Sequence, residues 1–170
     1  MGKLKGQIFI AGAIVILVMI AITVINLKYE SPGYNKFLFR DIDNLDKEFR
    51  FSSSIGNLDE FMGYVYSNKN DFRACYLTAD PKITIANFLG TVTEFTILSS
   101  GFTQSVEIGN GQKADIDKSL TVFNISYRVD GVLNSEEIFV KDRTVFVDFM
   151  IKDNELARKK SIYHIESNIE

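Results

Sequence analysis

Cysteine and histidine are nearly absent from the chain, each occurring once, as Cys75 and His164. One thiol cannot close a disulfide within the chain, and one thiol with one imidazole falls short of the usual zinc ligand sets and of most catalytic triads. Tryptophan is missing, and 2 prolines are too few for a Pro-rich linker. Positive charge is in short supply as well: Lys and Arg number 19 against 22 Asp and Glu, for a formal charge of −3. That balance argues against the broad phosphate-binding surface that nucleic acid requires. No Gly-x-Ser-x-Gly, phosphate-binding loop or His-Glu-x-x-His pattern occurs in the sequence. The expectation is a protein that is not an enzyme, holds no cofactor or metal and binds no nucleic acid.

What the chain has is apolar residues, 46% of its 170, very unevenly placed. Residues 6–27 read GQIFIAGAIVILVMIAITVINL without a charge. As a helix this run of roughly 22 residues is about 33 Å long, enough to span a bilayer core. In hydrocarbon the backbone must satisfy its own hydrogen bonds, so helix is the forced conformation despite the many β-branched residues. A cleaved secretory signal is the competing reading, but its apolar core is shorter and ends at a small-x-small site. Lys3 and Lys5 flank the near side, whereas Lys28 is offset by Glu30 on the far side. The positive-inside bias therefore puts the N-terminus in the cytoplasm and the C-terminal part outside the plasma membrane, as a single-pass protein. Gly12 with Ala11, Ala13 and Ala21 offers small residues where another helix could approach closely.

Beyond the run, Ser31-Pro32 supplies a cap and a first helical residue. Leu38, Ile42, Leu45 and Phe49 then follow at helical spacing on one stripe. Ser52-Ser53-Ser54 and Gly56 end that pattern, and Asn57 with Glu60 forms a box-like start for a second helix carrying Leu58, Phe61, Met62 and Val65. The two are expected to form a hairpin. From Phe72 the period changes to two, with candidate strands at 72–77, 83–88, 92–98, 102–108, 120–129, 137–140, 144–151 and 156–164. Asp130-Gly131 suits a primed hairpin turn, and Lys141-Asp142-Arg143 and Lys152-Asp153-Asn154 repeat the device, which predicts an antiparallel meander in the C-terminal third. The fold class expected is α+β: an N-terminal transmembrane helix, a short αα segment, then an antiparallel β-sheet ectodomain. The boundaries drawn are 1–6 for a basic leader, 7–30 for the apolar helix, 31–70 for the helical hairpin and 71–170 for the β-rich part of the same ectodomain.

Few residues carry recognisable chemistry. Asp41, Asp43, Asn44 and Asp46 resemble the start of a calcium loop, but Leu45 stands where an oxygen ligand is needed and no glycine follows. Asp115 and Asp117 read as solvated carboxylates of a polar loop. Asn124-Ile125-Ser126 is an N-glycosylation sequon, set mid-strand where acceptors are awkward, and it arises by chance nearly as readily. Cys75 reads as a buried thiol and His164 as a strand or tail residue.

The opening, Lys3-Leu4-Lys5-Gly6-Gln7 with the apolar run behind it, resembles the class III signal peptide of archaeal type IV pilin-like proteins. The resemblance covers the first thirty positions and the general layout of a helix carrying a β-rich outer domain. It implies cleavage between Gly6 and Gln7 by a prepilin peptidase, with Ile8 to Leu27 retained for anchoring or filament packing. It also implies the lipid bilayer, the peptidase, the pilus assembly machinery and further pilin-like subunits as partners. Such segments often carry a glutamate at the fifth mature position, which here is Ala11. The resemblance thus implies a minor pilin or pseudopilin. The competing expectation is a single-pass anchored ectodomain that binds a ligand or partner protein and never polymerises. A membrane-tethered hydrolase is a third, which would need a clustered, partly buried set of carboxylates.

Overall fold

The computed structural model describes residues 36–69, 71–152 and 156–166. Two helices, α1 (Lys36–Ser54) and α2 (Leu58–Asn68), precede nine strands. These are β1 (Phe72–Ala79), β2 (Ile83–Phe88), β3 (Thr93–Ser99), β4 (Phe102–Ile108), β5 (Gln112–Ile116), β6 (Val122–Val129), β7 (Val132–Phe139), β8 (Arg143–Lys152) and β9 (Leu156–Ile165). They form a five-stranded sheet in the order β5-β2-β1-β8-β9 and a four-stranded sheet in the order β4-β3-β6-β7, each with antiparallel neighbours. The expected α+β class, with one antiparallel sheet, is therefore corrected: the described part is mainly β, a two-sheet sandwich with a helical pair on one face. The leader and the apolar helix drawn at 7–30 lie outside the described residues. Among the described residues, no helix is long and apolar enough to cross a membrane.

The helices form because their apolar residues recur on one face. Ile42, Leu45 and Phe49 of α1 and Leu58, Met62 and Val65 of α2 are buried against Phe72, Ala74, Tyr76, Val147 and Phe149 of the five-stranded sheet. Phe49, fully buried, sits edge-on to Phe149 at 5.3 Å between ring centroids and to Phe61 of α2 at 6.2 Å. Gly56, with φ +78°, ends α1. Its N–H donates to Ser53 O, while the Asn57 N–H donates to Ser52 O, the paired bonds of a Schellman stop. The expected capping box does not form, because Asn57 makes no side-chain cap bond.

The five-stranded sheet is covered on both faces, so β8 is buried at eight successive positions from Thr144 to Ile151. The four-stranded sheet turns one face to solvent and keeps the alternation seen in β6. Phe95, Ile97, Phe123, Ile125 and Ile138 from it meet Leu77, Ile85, Phe146 and Met150 in the layer between the sheets. Two further expectations are corrected. Asp115, read with Asp117 as part of a polar loop, lies instead in β5, whose backbone completes an edge of the sheet beside β2. Lys141-Asp142-Arg143 is not a hairpin turn: β7 pairs with β6 and β8 with β1 and β9, so this segment crosses between sheets. The meander is thus broken there, while Asp130-Gly131 does close the β6–β7 hairpin with both residues at positive φ.

Candidate functional site

A polar row crosses the inner face of the five-stranded sheet, where apolar side chains otherwise prevail. Asn87 of β2, Cys75 of β1, Asp148 of β8 and Lys160 of β9 stand directly opposite one another along the register. Asn87, Cys75 and Asp148 are buried. Asn87 fixes the loop that leads into the second sheet, donating from Nδ2 to Thr91 O at 2.8 Å and Ile108 O at 2.7 Å. Its Oδ1 accepts from the Leu89 N–H at 2.9 Å.

Asp148 is the charged centre of the row. Tyr127, reaching across from β6, donates its hydroxyl to Oδ2 at 2.5 Å. Arg158 of β9 donates Nε to Oδ1 at 2.9 Å and a second guanidinium nitrogen to Oδ2. This fork is the geometry in which a guanidinium best matches a carboxylate, and it compensates a charge that burial would make costly. Burial pushes the Tyr127 phenol far above its usual range, with Cys75 and Asp148 adding to the effect. Burial likewise raises the Cys75 thiol, and neighbouring Asp148 raises it further, so the thiolate needed for nucleophilic chemistry is disfavoured. The bond to Asp148 raises the pKa of Arg158 and holds it charged.

The same three-part device occurs twice more among the described residues, where the helices meet the sheet. Tyr76 donates to Asp59 at the start of α2, and Lys113 of β5 ion-pairs with that carboxylate. Burial raises the Tyr76 phenol, and Asp59 raises it further. Burial would also raise Asp59, but the bonds from Lys113 and Tyr76 outweigh it and leave its pKa lowered. Tyr163 of β9 donates to Asp46 of α1, while Lys159 contacts Asp46 at 3.0 Å and Asp43 at 2.7 Å. Burial and the Asp46 bond push the Tyr163 phenol up to about 12. The carboxylates that suggested a calcium loop thus lie on a helix, where Asp43 and Asp46 fasten α1 to β9. Each phenol–carboxylate–cation group ties one layer to the next. None presents an unpaired carboxylate to solvent, which suits fastening better than proton transfer.

Beside Arg158 a cavity of about 280 Å³ opens at the β6–β7 hairpin end of the sandwich. Val129, Val132, Met150 and Leu156 supply its apolar wall, and Arg73 pairs with Asp130 across it at 2.8 Å. Among the described residues, no group of three or more His, Cys, Asp or Glu is placed to hold a metal ion.

Of the residues singled out from the sequence, Lys3, Lys5, Gly6 and Gln7 lie outside the described residues. Asn124 lies mid-strand in β6 on the outer face of the four-stranded sheet, half-buried, opposite Leu98 and Glu137. Ser126 of the same sequon shares that face and donates to Ser135 at 3.1 Å. His164 is a strand residue whose Nδ1 lies 3.0 Å from the Thr144 hydroxyl. The fastening groups escaped sequence reading because their members are far apart in the chain. The one local signal was Asp148, a lone charge inside an apolar strand. Comparison with known protein families, characterised proteins and solved structures yields no match for this chain.

Proposed function

We propose that the protein is a pilin-like cell-surface component, a minor pilin or pseudopilin, anchored or assembled through its N-terminal apolar segment. The observation that carries this reading is the uncharged run of residues 6–27 directly behind Lys3, Lys5 and the Gly6-Gln7 junction. In it the leader is removed between Gly6 and Gln7 on the cytoplasmic side, and the apolar segment remains in the plasma membrane or passes into a filament by exchanging lipid contacts for helix contacts. The sandwich faces outward, and no covalent step is asked of its side chains. Support comes from the way its layers are fastened, since Tyr127–Asp148–Arg158, Tyr76–Asp59–Lys113 and Tyr163–Asp46–Lys159 suit a domain that bears load through α1.

Ala11 favours a second reading, because a residue without charge stands at the fifth mature position. In that alternative the chain is a single-pass anchored domain that binds a partner and does not polymerise. Mass spectrometry of the protein purified from cells with an active prepilin peptidase separates the two. A chain that starts at Gln7, with cleavage lost in Gly6→Val, is the expected result. An intact leader under the same conditions overturns the pilin-like reading and leaves the plain anchor.

A further inference from the structure

Both sheets have two free edges among the described strands, and three of these four edges carry the charges that discourage edge-to-edge pairing. β9 presents Arg158, Lys159 and Lys160 in succession, β7 presents Glu136 and Glu137, and β5 is five residues long with Lys113 and Asp115. β4 differs. Its sequence FTQSVEI holds a single charge, Glu107, with no proline or glycine. Among the described residues, no strand pairs with its outer side.

We infer that β4 is a docking edge for β4 of a second copy of this chain, joined antiparallel about a local two-fold axis at Ser105. The register follows from strand length and face. Side chains of continuous sheets must keep their faces, so a two-fold pairing of this kind must set some residue opposite its own copy. Centring on Ser105 is the choice that pairs all seven residues of β4, from Phe102 opposite Ile108 to Ile108 opposite Phe102.

The side chains fit that register. Glu107 lies opposite Thr103 of the second copy, so the strand's one charge meets a hydroxyl rather than its own kind. On the outer face, Ser105, Thr96, Ser126 and Ser135 form a row of hydroxyls across the four strands. Thr96 and Ser105 are 2.8 Å apart, and Ser126 bonds to Ser135. Pairing at Ser105 continues this row into the second copy. On the inner face, half-exposed Val106 meets the aliphatic part of Gln104. The contact is short compared with the roughly 1,000 Å² of a stable interface, so it should be reversible and should respond strongly to local concentration.

The test uses the full-length chain in a Cys75→Ala background, reconstituted in phospholipid vesicles and treated with a mild thiol oxidant. Ser105→Cys should form covalent dimers several-fold faster than Ser135→Cys, which places the thiol on the opposite edge of the same sheet. Thr103→Cys mixed with Glu107→Cys should cross-link, whereas either alone should not. Ser105→Lys, which sets two ammonium groups face to face, should abolish cross-linking of the 103/107 mixture. Equal rates at 105 and 135, as random association through the apolar segment would give, overturn the proposal. So does capture of residue 105 by a cysteine on β9, which would mean head-to-tail addition. Neither result bears on whether the leader is cleaved at Gly6.

Discussion

Replacing Arg158 by methionine keeps much of the side-chain volume but removes the cation that compensates Asp148. The carboxylate is fully buried, and among the described residues only the Tyr127 hydroxyl remains bonded to it after the substitution. Breaking one side of a buried pair leaves an uncompensated charge and costs about 3–5 kcal/mol. Small domains have only about 5–15 kcal/mol of stability in total, so this single change should remove a large part of it. The triple variant Asp148→Leu, Arg158→Met, Tyr127→Phe, which removes charge and orphaned hydroxyl together, should recover most of the loss. Urea unfolding of the full chain in detergent, followed by tyrosine near-ultraviolet circular dichroism, reads both. A loss for Arg158→Met below about 1 kcal/mol, or a triple variant no more stable than Arg158→Met alone, refutes the view of this group as a buried fastening.

Two further outcomes follow from the same structure. The hydroxyl of Ser53, buried under α1, has no hydrogen-bond partner among the described residues, so Ser53→Ala should stabilise the chain by about 1 kcal/mol; a loss in the same urea titration would contradict this. Tyr76, Tyr127 and Tyr163 all have raised phenol pKa values, Tyr163 to about 12, so the folded state resists their ionisation. Their contribution is complete below the ordinary tyrosine value near 10 and is lost as pH rises above it. The absorbance of these three should rise only with alkaline unfolding. Smooth titration of the three near pH 10, with the fold intact, would refute the burial argument.

The helical stripe of Ile42, Leu45 and Phe49 was legible because a period of 3.6 marks a buried face wherever it packs. The β6–β7 turn was legible because Asp130 and Gly131 tolerate positive φ. β5 was not, since an edge strand with Lys113 and Asp115 exposed carries little apolar signal, and its pairing is supplied by the backbone of β2. The crossover at 141–143 was missed for a related reason. Asp142 adopts positive φ as a hairpin residue would, yet the strands on either side belong to different sheets.

Sequence alone determined the positions of most strands, the two amphipathic helices and the uncharged run at the N-terminus, because each is written as a local period or a local absence of charge. Tertiary structure decided that the strands divide into two sheets, that one sheet is buried on both faces, and that Asp148 meets Tyr127 and Arg158. Alternation states that a strand has an inside but not which partner lies there. Register and layer order arise from contacts between residues far apart in the chain, and the polar fastenings exist only once those contacts are made.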